Sequence, residues 1–236
     1  MTAITTDTSL GDVVTANPAA ARVLERHGLD YCCGGSRTLG DACESGGVEV
    51  DGLLGEIAAL GSTTEPDWAK MGPAELVDHL EAVHHAYLHE ELPLLDPLAA
   101  KVAEVHGERH PELAQVRDLY AELHADLAPH LRKEEQVLFP MIRELAAADD
   151  APSFHCGSLA NPISVMMTEH DRAGELLEQL REVSHDYELP ADACASYTSL
   201  YQRLEALEAD THLHVHKENN ILFPTVVEME RRFADA

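Results

Sequence analysis

The chain has 236 residues, 45% of them hydrophobic, and a formal net charge of −27 from 16 basic and 43 acidic side chains. That length and apolar content support a sizeable core and exclude global disorder, while the negative balance excludes nucleic acid, whose phosphates need cationic side chains to displace counterions. No run of about 18 apolar residues marks a membrane span, the N-terminus lacks the regions of a secretory signal, and five cysteines, two of them adjacent, make no disulfide framework, so a cytoplasmic protein is expected.

The chain opens with short helical patterns. In NPAAARVLERHGLDYCCGG, Asn17 can cap a helix that starts at Pro18, Leu24 and the alanines give it an apolar face, and Gly28 reads as its stop. A second short helix is expected from Thr38 to Gly46-Gly47 and a third over 51–60. Residues 1–62 thus read as a small helical domain, near the lower size limit for independent stability. Within it, DYCCGG (30–35) sets two adjacent cysteines before a glycine pair. Two thiols are too few for a zinc site, and a disulfide between neighbours would strain the intervening peptide. Packing at a helix end is the plain reading. The sharper one is that the glycines turn the chain and hold Cys32 and Cys33 at the mouth of a route into the following domain, as a thiol relay or access point.

A linker is expected over 63–72, where GSTTEPDW is punctuated by Gly, Ser, Thr and Pro. From Pro73 onward four long helical segments follow, about 73–100, 111–146, 162–186 and 191–233, with Pro111 and the Asn161-Pro162 pair as helix starts. No alternating strand pattern competes. The prediction is an all-α protein whose residues 73–236 form a four-helix bundle.

The strongest signal is a repeat. DLAPHLRKEEQVLFP (126–140) and DTHLHVHKENNILFP (210–224) share seven identities at an offset of 84, which implies an internal duplication of a helix pair. Residues four apart share a helix face, so His130 aims with Glu134 and His214 with Glu218. Leu123, Leu127, Val137 and Leu138, and Leu207, Ile221 and Leu222, turn both faces inward. One H-x3-E pair is an ordinary polar face; two in register beside apolar runs are not. Buried carboxylates need cations or hydrogen-bonded partners.

The other two helices supply further histidines. His170 lies among Ile163, Met166, Met167, Ala173 and Leu177 at helical offsets. In the first segment, Val77, Leu80 and Leu88 place His84 inward slightly better, whereas the repeat offset favours His85, 85 residues before His170. Four histidines and two glutamates without thiolate suit two iron or manganese ions. The usual di-iron carboxylate pattern, with Glu-x-x-His on two helices, is spaced differently. Asp126 and Asp210, one turn before the repeat histidines, are candidate acceptors or proton carriers.

With DYCCGG, HLRKEEQVLFP, PISVMMTEHDRAGELL and HVHKENNILFP in this order, the chain resembles the di-iron iron–sulfur cluster repair family, also called the repair-of-iron-centres family, over roughly residues 8–226. The resemblance implies a hemerythrin-like bundle holding two iron ions per chain, oxo- or hydroxo-bridged when oxidised. His85, His130, His170 and His214 would bind terminally, and Glu134 and Glu218 would bridge. It resolves the first helix toward His85, seven residues after the Asp78-His79 pair. Glu169, beside His170, resembles a family carboxylate near the centre and is a candidate for moving protons. The implied function is repair of clusters damaged by nitric oxide or oxidants, through iron donation, with damaged iron–sulfur proteins as clients and nitric oxide or dioxygen as small ligands. Nitric oxide reduction to nitrous oxide, peroxidase activity, and an oxygen- or nitric-oxide-binding carrier are the alternatives at the same centre. Neither membrane nor nucleic acid is an expected partner, and the chain is expected as a monomer or homodimer.

Overall fold

A computed structural model describes residues 4–61 and 66–234; part of the expected linker 63–72 lies outside the described residues. Those described are helical or irregular, with two isolated bridges, Ser9 with Thr38 and Phe154 with Gly157.

Four short helices build the N-terminal part: α1 (Leu10–Ala16), α2 (Ala20–Arg26), α3 (Leu39–Gly46) and α4 (Val50–Ala58). Helices this short depend on their ends. Ser9 Oγ accepts from Asp12 N at 3.0 Å, Thr38 Oγ1 from Asp41 N at 3.1 Å, and Glu49 from Asp51 N and Gly52 N. Gly28, at φ +64°, closes α2 as expected, with Leu29 N donating to Leu24 O and Gly28 N to Glu25 O. This paired closure satisfies carbonyls that the helix leaves open. Asn17 and Pro18 form a turn ahead of α2 and do not open it, while Asn17 Oδ1 accepts from Ala19 N. The sequence reading has no counterpart for α1.

The four bundle segments follow. The first runs through α5 (Pro73–Leu80), a π-turn (Glu81–His85) and α6 (Ala86–His106). The second comprises α7 (Glu112–Lys133), a π-turn (Glu134–Leu138) and α8 (Phe139–Ala147); the third is the uninterrupted α9 (Ala160–Val183). The fourth comprises α10 (Ala195–Lys217), a π-turn (Glu218–Leu222) and α11 (Phe223–Ala234). Helix α7 packs between α6 and α9, and α10 closes the bundle against α6 and α9.

Two expected starts move. Pro111 precedes its helix, and α9 begins ahead of Asn161. Glu230 supplies the anchor there, accepting from Leu159 N at 2.9 Å and Ser158 Oγ at 2.6 Å, while Asn161 bonds back to Cys156 O. A long-range carboxylate thereby replaces a local cap. Between Asp67 and the bundle, Trp68 is buried under the Lys217 ammonium, 4.1 Å from its ring centre, so the end of the expected linker is fixed to the bundle.

Candidate metal centre

The repeat and the π-turns meet at one layer across the bundle. In each π-turn the closing amide reaches back five residues: Ala86 N to Glu81 O, Phe139 N to Glu134 O, and Phe223 N to Glu218 O. Such turns cost hydrogen-bond geometry and occur where a side chain must be re-aimed. Here they carry His84 and His85, Glu134, and Glu218.

The structure brings six of the predicted residues together. His85, Glu134, His214 and Glu218 converge as one set, and His130, Glu134, His170 and Glu218 as another, all buried. The two sets share both glutamates. Glu134 turns Oε2 toward His85 Nε2 (3.5 Å) and Oε1 toward His130 Nε2 (3.3 Å). Glu218 turns Oε1 toward His214 Nε2 (3.3 Å) and Oε2 toward His170 Nε2 (3.2 Å). The imidazoles also approach in pairs, His85 with His214 at 3.2 Å and His130 with His170 at 3.1 Å.

All four glutamate oxygens are buried, and none has a hydrogen-bond partner among the described residues. Two such carboxylates are unfavourable unless cations compensate them. Donor atoms 3.1 to 3.5 Å apart leave the gap that an ion bound at about 2.0–2.2 Å to each atom fills. The residues therefore fit cation binding, with each histidine pair facing both carboxylates. Protons partly substitute when no cation is bound. Burial opposes charge on His130, but Glu134, Glu218 and Glu169 outweigh it and lift the imidazole to about 9. Burial would raise Glu218, yet His214 and His170 hold it well below the usual carboxylate range.

Three of the inward imidazoles are oriented from behind. Nδ1 of His85 bonds Glu135 (2.9 Å), that of His130 bonds Glu169 (2.9 Å), and that of His170 bonds Asn219 (2.9 Å). Such contacts fix the tautomer that leaves Nε2 free for a metal. Glu169 is where the resemblance placed a carboxylate. Glu135 and Asn219 were missed, although the repeat contained the signal: they follow the two glutamates directly, at the offset of 84.

Four predicted residues sit elsewhere. Asp126 is half-exposed and faces Arg172 at 3.9 Å, not His130. Asp210 bonds Nδ1 of His84 at 2.9 Å, and His84 turns its Nε2 to Lys217 (2.6 Å) while stacking on His214 with ring centres 5.5 Å apart. Burial, with help from Lys217 and against Asp210, lowers His84 to about 4. His84 thus supports the layer from outside both sets, and His85 enters it.

Cys32 and Cys33 lie against the π-turn of the fourth bundle segment, Glu218–Leu222. Asp30 organises them, accepting from Cys32 N, Cys33 N and Gly34 N at 2.8–3.0 Å and from Cys32 Sγ at 3.1 Å. The two Sγ atoms are 3.8 Å apart. The contact with Cys33 and then burial push the Cys32 thiol well up, so it is held protonated. Asn220 Nδ2 donates to Tyr31 O and Cys32 O, and a Cβ at Gly35 would lie 2.2 Å from Asn220 Oδ1, so only glycine allows this docking. Asn219 joins the two regions, since its Nδ2 donates to Cys32 O at 3.4 Å while its Oδ1 holds His170.

Cys32 and Cys33 line a cavity of about 420 Å³ with Asp30, Tyr31, Asp171 and Gly174, and none of the six converging residues borders it. A separate cavity of about 190 Å³ borders His130 and His170, with Asp126, Lys133, Glu169 and Arg172 around it. The two copies of the repeat differ in how they flank the layer: Lys133 pairs with partly exposed Glu169, whereas its repeat mate Lys217 is buried between His84 and the ring of Trp68.

Comparison with known proteins agrees with this geometry. Residues 76–226 match the family described as Hemerythrin HHE cation binding domain, and residues 6–61 match a Domain of Unknown function (DUF542). Proteins named Iron-sulfur cluster repair protein YtfE from Enterobacter sp. (strain 638), Escherichia coli O81 (strain ED1a) and Escherichia fergusonii are each 36% identical over 220 residues, covering 92% of this chain and 96% of theirs. No described helix is long and apolar enough to cross a membrane. With the HHE match spanning the interlocked histidine–glutamate layer, and full-length relatives sharing both parts, the chain belongs to the hemerythrin HHE cation-binding family and to the family of the YtfE proteins.

Proposed function

We propose that this chain is a non-haem di-iron protein that restores iron–sulfur clusters damaged by nitrosative or oxidative stress by donating iron. The observation that carries the reading is the pair of histidine sets sharing two buried glutamates whose four oxygens have no hydrogen-bond partner among the described residues. His85 and His214 would hold one ion and His130 and His170 the other, with Glu134 and Glu218 available to both. Imidazole and carboxylate donors without thiolate suit iron. Iron bound there would supply a redox-active cation able to take small ligands such as nitric oxide or dioxygen.

The chain's own residues set the direction of exchange. Lys217, His84 and Trp68 close the His85–His214 side, while the cavity at Glu169 and Lys133 opens the other. Exchange of a bound ion with solvent or a client would therefore run on the His130–His170 side. Glu169 holds the Nδ1 proton of His130 at that opening. Cys32 and half-buried Cys33 serve client contact, on the adjoining face of α9.

Reconstitution with ferrous iron tests the reading. Two irons per chain are expected, with loss of both in the Glu134→Ala/Glu218→Ala double variant. The loaded chain should restore activity to an iron–sulfur dehydratase inactivated by nitric oxide, and the double variant should not. Nitrous oxide accumulating over many turnovers without iron loss would replace donation by nitric oxide reduction. A Cys32→Ala/Cys33→Ala chain should keep its iron and lose repair; unchanged repair would remove the cysteines from the function.

A further inference from the structure

The end of the bundle away from the metal layer carries a second reactive group. Cys194 is the N-cap of α10, and 20 residues separate it from His214 on that helix, about 30 Å at 1.5 Å per residue. Its side chain is exposed, whereas Cys32 and Cys43 are buried. His106, the last residue of α6, is only 5% exposed and places Nε2 3.1 Å from Cys194 Sγ.

The other nitrogen of this imidazole settles its role. His106 Nδ1 is buried with no hydrogen-bond partner among the described residues. An orphaned buried N–H is rarer and costlier than an unused lone pair. The proton therefore sits on Nε2, where it donates to sulfur. Tyr197 packs on the ring with centres 5.4 Å apart and fixes its direction.

The charges around the sulfur act in the same sense. The amide of Tyr197 at the open start of α10, against slight burial and with the Ser196 amide, holds the thiol below its usual pKa, and Lys101 adds to this. Asp192, the nearby anion, is paired with Arg109 (2.6 Å) and with His110 (2.9 Å), which also meets Glu112 at 3.3 Å. Anionic character together with exposure is what makes a cysteine reactive.

We propose that Cys194 is a second reactive site of this protein, a thiol that exchanges with low-molecular-weight disulfides while His106 donates a hydrogen bond to its sulfur. The Cys194 thiolate attacks one sulfur of the small disulfide. The reagent's S–S bond breaks as the new Sγ–S bond forms, and the other half leaves as a thiolate that takes a proton from water. Cys194 is oxidised to a mixed disulfide as the departing sulfur is reduced.

The iron-loaded full chain, treated with less than one equivalent of oxidised glutathione and mapped by peptide mass spectrometry, tests this. The first adduct is expected on Cys194, with iron content unchanged. The fast phase should vanish in Cys194→Ser and slow about tenfold in His106→Asn at neutral pH. In the wild type its rate should inflect below the ordinary thiol value of about 8.5. First modification at Cys33 or Cys156, or an inflection at the ordinary value, would overturn the proposal. The wild-type profile decides even if His106→Asn disturbs the helix end. The same measurement on the iron-free chain gives the thiol result independently of the metal reading.

Discussion

At the scale of single residues, the metal layer is a problem of orientation. Each imidazole has two nitrogens, and the residue behind it decides which one faces inward. Asn219 does this for His170 and also touches the Cys32 carbonyl. Asn219→Ala is expected to lower metal affinity about ten- to a hundredfold, as loss of such an outer contact does, and Asn219→Asp, which keeps the acceptor, should recover most of it. Competition with a chelator measures both, and equal affinity in the alanine variant would remove the role. Glu25 gives a pH signature. Burial would raise its pKa, but His212, 3.5 Å away, and the hydrogen bond from the Tyr31 hydroxyl prevail and lower it. A carboxylate with a depressed folded pKa contributes stability above its unfolded pKa and loses it as pH falls through the folded value. The iron-free wild type should therefore lose its advantage over Glu25→Gln on acidification below about pH 4.5. Parallel urea midpoints of the two chains across that range would refute the assignment.

At the scale of elements, the π-turns explain the LFP ending of both repeats. Pro140 and Pro224 follow their glutamates by six residues and have no N–H to return to the carbonyls of Gln136 and Asn220. Regular α-helix there would lose a hydrogen bond worth about 1 kcal/mol, which narrows its advantage over the wider turn. Pro140→Ala/Pro224→Ala should restore that bond, rotate Glu134 and Glu218 out of the layer, and weaken metal binding without lowering the urea midpoint of the iron-free chain. Unchanged affinity would show that packing alone sets the turns. The H-x3-E repeat, the four long segments and the six converging residues were legible because helical periodicity and duplication leave spacing in the sequence. The π-turns were not legible, because a proline such as Pro140 or Pro224 fits several helix distortions and the turn at Glu81–His85 has Tyr87 in the equivalent place. Helix α1 was hidden because Ser9 caps only seven residues, whose burial depends on the rest of the fold. Asp126 shows a limit of spacing: one turn from His130 it shares a face, yet its near charge is Arg172 of α9, on the rim of the cavity that borders His130 and His170.

At the scale of the whole molecule, the apolar core does not divide where the composition of the chain does. One cluster joins Leu10, Leu24 and Leu39 of the N-terminal helices to Trp68, Leu138, Phe139, Val215, Phe223 and Val226 of the bundle. A second fills the other half of the bundle, from Leu88 and Leu123 to Leu180 and Leu207. The histidines and glutamates lie at the junction, so the N-terminal helices help to keep water from one side of a charged layer, where low dielectric strengthens every interaction with a cation. Thr15 and Tyr31 reach His216, and Asn220 bonds the DYCCGG backbone, on the same stretch that carries His214 and Glu218. A chain of residues 66–236 would keep every side chain of the layer and Trp68, yet uncover part of that first cluster. Each apolar side chain re-exposed forfeits roughly 1.5–3 kcal/mol, and 1 kcal/mol shifts Tm by about 2–4 °C at this size. Losing cover on three or four side chains should lower the melting temperature by more than about 10 °C and release metal at chelator concentrations that leave the full chain loaded. A shortened chain that melts within a few degrees of the full one and holds its metal equally would instead make the bundle an independent unit, with the N-terminal helices an appended module.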